Sequence, residues 1–152
     1  MADAWRIVKA RHVATAFSGD GAAKFGGRWN SRGVRMVYAS AGKSLAVLES
    51  LVHLNPPVAF EFVEFAIEFD AVLVTKRSPG KLPVEWRQEP PPASTQAIGD
   101  AWVKSNDSAI LAVPSIILPS ETNYLLNPAH PDFSKIKIAK PEAFVFDPRL
   151  LK

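Results

Sequence analysis

Short apolar runs alternate along the chain with loops rich in proline, glycine and serine, and only one stretch carries a clear helical stripe. Trp5 to Val8 reads as a short strand. Val34-Arg35-Met36-Val37-Tyr38-Ala39 has the β-branched and aromatic content of a second, with Met36 and Tyr38 on one face by the period of two. Ser40 to Leu54 predicts the best helix: Ser40 or Ser44 caps it, Leu45, Leu48 and Val52 form a stripe, and Val47, Leu51 and Leu54 widen it. That helix is expected to be largely buried and to stop at Asn55-Pro56-Pro57. Val63, Phe65, Ile67 and Phe69 alternate with Glu64, Ala66 and Glu68, the pattern of a half-buried strand. Ser94 to Lys104 predicts a short helix anchored by Trp102, with Gly99 arguing against it. Ala109 to Leu118 is apolar but broken by Pro114-Ser115, which predicts an edge strand or a bend. Lys135–Ile138 and Ala143–Phe146 predict two final strands. Without regular βαβ alternation, the sum is an α+β fold: a bent or split, mostly antiparallel sheet with two or three helices.

Composition narrows the function classes. The 152 residues fit one domain, 1–152, and 47% hydrophobic residues supply a sizeable core and exclude intrinsic disorder. No cysteine is present, so disulfides and thiolate metal sites are excluded. No apolar run reaches the roughly 18 residues of a membrane span. The N-terminus lacks a basic-then-apolar signal pattern, so the cytoplasm is the expected location. The net charge of +3 tolerates an anionic ligand, but without a polybasic run it does not predict nucleic-acid binding. His12, His53 and His130 lack metal-ligand spacing, so no metal is expected. No Gly-x-Gly-x-x-Gly or phosphate-loop pattern occurs, and Ser115 has no Gly-x-Ser-x-Gly elbow.

The candidate chemistry centres on Gly26-Gly27-Arg28-Trp29-Asn30. Glycines allow a tight turn or the close approach of a ligand, and the charged, aromatic remainder is poor core material. Lys9 to Phe25 is mostly small or polar, which places Arg28 at the end of a long loop. Arginine's planar fork suits a phosphate or carboxylate, although an arbitrary arginine more often makes a surface ion pair. Glu49 lies at the edge of the apolar stripe. Burying it unpaired costs several kcal/mol, so it is expected either to be paired, with Arg28 as one candidate, or to reach the surface. Tyr38 by itself reads as core filler, His53 as a helix-edge residue, and Ser115 as a group that satisfies the backbone at a bend. Trp5, Trp86 and Trp102 read as core or loop anchors. These residues define a polar site but no reaction.

Four segments taken in order carry more information. Gly26–Asn30, Val37-Tyr38-Ala39-Ser40, Leu45 to His53 around Glu49, and Val113-Pro114-Ser115 with Glu121 to Pro128 and His130-Pro131 together resemble the RES-domain family, named for an arginine, a glutamate and a serine. The segments span nearly the whole chain, and the region 61–102 carries no match. The resemblance implies a fold similar to the ADP-ribosyltransferase toxins. It also implies a toxin of a bacterial toxin–antitoxin pair that consumes NAD by hydrolysis or phosphorolysis of the nicotinamide–ribose bond, or transfers ADP-ribose to a protein. Carried over by position, Arg28, Glu49 and Ser115 would be catalytic, and Arg28, Tyr38, Ser115 and Asn123 would bind NAD, with no metal. Tyr38 would stack on nicotinamide. The implied partner is an Xre-like helix-turn-helix antitoxin, which would carry any DNA binding, and a homodimer is compatible with such a protein. Two readings of another class stand beside this one: a non-catalytic nucleotide- or protein-binding module, and a structural domain braced by an Arg–Glu pair.

Overall fold

The computed structural model describes residues 3–54 and 61–151, so the expected helix stop at Asn55-Pro56-Pro57 lies outside the described residues. In chain order the elements are β1 (Ala4–Lys9), α1 (Asp20–Phe25), β2 (Val37–Ser40), α2 (Lys43–Leu51), β3 (Phe62–Glu68), β4 (Val74–Lys76), α3 (Ala93–Ser105), β5 (Ile110–Pro114), β6 (Thr122–Leu126), β7 (Lys137–Ile138) and β8 (Glu142–Phe144). They build one curled sheet in the order β4-β5-β6-β2-β1-β3-β7, with β8 also on β3. Every pairing is antiparallel except β4–β5. This is the expected α+β class.

The two faces of the sheet carry two cores, separated by the alternation of side chains along each strand. Ile110 of β5, Leu126 of β6, and Val37 and Ala39 of β2 pack with Ile67, Leu73 and Ile136 on one face. Leu111, Val113 and Leu125 point to the other, where Trp29, Met36 and Trp102 cover them. All five residues of β5 are buried, and β4 and β6 flank it, so it is not an edge strand. Pro114 is tolerated because its register partner is Thr122 of β6, whereas the pairing with β4 ends at Ala112.

One irregularity of pairing positions the site. β1 pairs with β3 along its whole length, from Ala4↔Ile67 to Lys9↔Phe62. Its pairing with β2 is a single register point, Trp5↔Ser40. Past that point the two strands part, and Ile7, Val8 and Lys9 of β1 face Tyr38 and Ala39 of β2 across an open cleft.

Several local expectations are corrected. Residues 9–25 are not a loop: a 3-10 helix, Ala10–Thr15, and α1 occupy them, so Arg28 follows a helix closely. Trp29 (3% exposed) and Asn30 (0%) are core residues, against the reading of Gly26–Asn30 as unfit for a core. The start of α2 has Gly42 at its N-cap with no side-chain cap, because Ser40 belongs to β2. Only Leu45 and Ala46 of α2 are buried, and the supposed stripe residues Leu48 and Val52 are 37% and 61% exposed. The helix contacts the sheet along β1 and β2. Its inward face is rotated off the apolar stripe, so Glu49, which lines the cleft, is turned toward polar partners. Burial of Leu45 alone contributes about 1.5–3 kcal/mol to that docking. β6 was not among the expected strands.

Gly99 has a packing reason to be glycine. α3 crosses so close to Trp29 that a Cβ at position 99 would lie 1.6 Å from the Trp29 carbonyl oxygen. Gly99→Ala is therefore expected to destabilise the chain by about 3 kcal/mol or more, since backbone must move to admit one methyl group. Gly80→Ala, with nothing within 4 Å of its Cβ position, is expected to stay within about 0.5 kcal/mol of wild type. Urea unfolding midpoints of the two variants check this.

Candidate functional site

The cleft between β1 and β2 has a volume of about 410 Å³, within the range of small-molecule sites. Trp5, Tyr38, Ser40, Glu49, His53 and Asn123 are among the residues that line it. Glu49 is its one lining carboxylate, beside the cations Arg6 and Lys9.

Glu49 sits in the last turn of α2 and is only partly buried, and two donors fix one of its oxygens. Ser115 Oγ donates to Glu49 Oε1 at 2.7 Å, and Asn123 Nδ2 donates to the same oxygen at 3.0 Å. Each donor is itself held. Ser115 Oγ, fully buried just past the end of β5, accepts from the backbone N–H groups of Ile117 and Leu118, both at 3.1 Å. Asn123 Oδ1 accepts from Ser40 Oγ at 2.9 Å, and these two residues are register partners across β2 and β6. The chain thus aims a fixed carboxylate from a helix with groups on three adjacent strands or strand ends. Ser115 spends its proton on Glu49 and its lone pairs on backbone N–H groups, and it is fully buried and not among the residues that line the cleft, so its hydroxyl is a positioning group.

The glycine stretch builds a second layer. Tyr38 Oη donates to Asn30 Oδ1 at 2.5 Å and accepts from the Trp29 N–H at 3.2 Å. Asn30 Nδ2 is shared among the carbonyls of Ala22, Ser31 and Val34, which locks the loop. Gly27 must be glycine, because a Cβ there would lie 2.6 Å from the Tyr38 hydroxyl. Burial is the largest cause that raises the Tyr38 pKa well above its ordinary value, with the Asp100 charge adding to it and the Trp29 N–H and Arg28 charge opposing.

Arg28 is placed differently from the expectation. It does not pair with Glu49 and is not among the residues that line the cleft. Its side chain is 10% exposed, and its guanidinium donates to the carbonyls of Trp86 and Gln88 and pairs with the Glu89 carboxylate. The 86–89 turn presents two carbonyls and a carboxylate to the arginine fork, and these take its donors. The sequence-predicted set therefore divides. Glu49, Ser115 and Asn123 form one hydrogen-bonded unit, Tyr38 lines the same cleft, and Arg28 braces a neighbouring loop.

Two contributors escaped the sequence reading. Ser40, one of the two expected helix caps, instead orients Asn123. Arg6 donates from Nε to the Ala16 carbonyl and from Nη1 to the Tyr38 carbonyl, both at 2.8 Å, and ties β1 to β2 where strand pairing has stopped. Burial lowers its pKa to about 10. The available signal was a cation inside the apolar run Trp5–Val8. Among the described residues no cluster of His, Asp or Glu is arranged to hold a metal ion.

The RES domain family model matches residues 3–147. The Toxin Res of Yersinia enterocolitica is 41% identical over 148 residues, covering 96% of this chain and 97% of that protein. The Prs ADP-ribosylating toxin of a Sphingobium species is 44% identical over 155 residues, covering 97% and 96%. In three dimensions the chain is similar to the M. tuberculosis MbcT–MbcA toxin–antitoxin complex, with a TM-score of 0.76 at 15% identity, covering 93% of this chain and 82% of the matched one. A curled α+β sheet with a helix-borne glutamate at a strand split is the class of fold and site in hand. The chain belongs to the RES domain family, and its curated relatives are toxins.

Tyr38→Phe tests the second layer. It strands the buried Asn30 oxygen without its donor, an expected loss of about 1–3 kcal/mol near neutral pH. The raised pKa sets the alkaline behaviour. The folded chain keeps the phenol proton above pH 10.0 and the unfolded chain releases it, so this contribution is whole below pH 10.0 and falls as the pH rises further. Tyr38→Phe lacks that fall, so the gap between variant and wild type should narrow above pH 10.0 in urea midpoints taken across the range.

Proposed function

We propose that this chain is the toxin of a toxin–antitoxin pair and that it consumes NAD, cleaving the nicotinamide–ribose bond at the cleft between β1 and β2. The observation that carries the reading is the Glu49 carboxylate, held by Ser115 and Asn123 in that cleft. Membership of a family whose relatives include an ADP-ribosylating toxin supports it, because NAD is the ordinary donor of ADP-ribose.

The chemistry follows from charge. When the glycosidic bond lengthens, nicotinamide leaves as a neutral molecule and positive charge develops on the ribose, as in other glycosyl transfers. A carboxylate already fixed at that position stabilises the cation without reorganising. Ser115 and Asn123 supply the fixing, and the second oxygen of Glu49, to which no described residue is hydrogen-bonded, faces the sugar. Tyr38, at the cleft wall, packs against the nicotinamide end. Arg28 holds the 86–89 loop, and its charge acts on Tyr38, which lines the cleft. We read residues 1–152 as one RES-type domain. The name of the Sphingobium relative favours transfer of ADP-ribose to a macromolecule as the second reading of the same chemistry.

A toxin must be held silent, and an antitoxin partner is proposed because the relatives are toxins and the similar solved structure is a toxin–antitoxin complex. No helix among the described residues is long and apolar enough to cross a membrane. We place the action in the cytoplasm, where NAD is plentiful.

Purified chain incubated with NAD should release nicotinamide, followed by chromatography; NAD that stays intact with water, phosphate and a cell extract each offered as acceptor would sink the proposal. Glu49→Gln should retain the wild-type melting temperature within a few degrees and lose about a hundred- to a thousandfold in kcat, with KM little changed. Ser115→Ala should lose less, about tenfold, since it releases Glu49 without removing its charge. Induced expression without a partner should arrest growth and lower cellular NAD, and the Glu49→Gln variant should do neither.

A further inference from the structure

One titratable group in the cleft has no part in the chemistry above. His53 lies about one turn beyond Glu49, just past the end of α2, where the backbone tightens so that its N–H bonds the Ser50 carbonyl. By its spacing alone His53 is a helix-edge residue. In the structure it lines the same cleft as Glu49, its residue is exposed, and no described side chain or carbonyl is hydrogen-bonded to its imidazole.

The proposed reaction leaves a proton unassigned. Neutral nicotinamide takes none on leaving, but an acceptor bearing an O–H must lose one when its oxygen bonds to the ribose. The other groups that line the cleft are poorly suited to take it. Arg6 and Lys9 are cations with no lone pair to offer. Tyr38 is already a donor to Asn30, and burial opposes its ionisation. The Ser40 and Ser50 hydroxyls are committed to Asn123 and to the Ala46 carbonyl. Glu49 is occupied with the cation it stabilises, and one of its oxygens already accepts from Ser115 and Asn123. An imidazole is the side chain most often used for this task.

We infer that His53 is a catalytic residue, the base that accepts the proton of a hydroxyl-bearing acceptor, water in the simplest case, as it attacks the ribose carbon. This inference rests on the NAD-cleaving reading of the site. In the step, the bond between the ribose carbon and the nicotinamide nitrogen breaks and its electron pair leaves with nicotinamide. A bond forms between the acceptor oxygen and the ribose carbon. The acceptor proton moves to an imidazole nitrogen and is later returned to solvent. Glu49 acts by charge.

The test uses purified wild-type chain, His53→Ala and His53→Gln, with NAD as substrate and water as acceptor. Both variants should keep the wild-type melting temperature, since residue 53 is exposed, and should keep KM for NAD within about twofold. Their kcat should fall by about a hundredfold. Added imidazole should restore a concentration-dependent part of the turnover of His53→Ala and leave the wild type unaffected, a response that a merely structural role would not give. Wild-type kcat in either variant, or a loss that appears in KM and is not rescued by imidazole, overturns the inference while the NAD reading stands. Wild-type chain that releases no nicotinamide overturns both.

Discussion

The site depends on one oxygen atom. Glu49 Oε1 receives hydrogen bonds from Ser115 on the segment after β5 and from Asn123 on β6, while Glu49 itself stands on α2. A partly buried carboxylate is costly unless donors surround it, and here both donors are locked by further bonds, Ser115 by two backbone N–H groups and Asn123 by Ser40. The same bonds that make the carboxylate tolerable also fix its direction. Electrostatic stabilisation of a developing charge needs that rigidity, because a carboxylate free to turn would have to be reorganised during the reaction.

The sheet makes room for this group by failing to close. β1 follows β3 for its full length but meets β2 only at Trp5↔Ser40, and the cleft occupies the gap. Strands left apart in this way would leave backbone carbonyls facing each other without donors. Arg6 meets that need at the Tyr38 carbonyl and also binds the Ala16 carbonyl, so a half-buried cation replaces strand pairing at the base of the site. Behind the wall residue Tyr38, Asn30 takes the phenol hydroxyl, and Arg28 holds the 86–89 loop. Two glycines permit these approaches: Gly27 under the Tyr38 hydroxyl and Gly99 against the Trp29 carbonyl. The cleft is thereby built from residues whose main partners are one another, and its lining carries more positive than negative groups. That balance suits a ligand with phosphate groups and one cationic end.

The strand-like runs and the α+β class were legible in the chain because alternation and proline spacing are local properties, as in Phe62–Glu68, where the pattern and the observed strand differ by a residue. Trp102 as an anchor and Glu49 as a carboxylate in need of partners were legible for the same reason: burial preference and charge travel with the residue type. The order of the four motifs along the chain was enough to indicate the family. The rotation of α2 was not legible. Of its apolar stripe Leu45 is buried but Leu48 and Val52 are exposed, and which face turns inward was decided by where Ser115 and Asn123 wait on other strands.

Partners distant in sequence were beyond any local pattern. Ser115 lies 66 residues from Glu49, Asn123 lies 74, and the acceptors of Arg28 lie about 60 residues away on a loop whose sequence shows only that it is proline-rich. The sequence by itself determined which residue types were available, where several of the strands and the helix around Trp102 would lie, and that a glutamate and an arginine would need company. Only the tertiary structure decided that the glutamate joins a serine and an asparagine while the arginine joins a loop, because pairing energy depends on distances that exist only after the sheet has curled and its strands have parted.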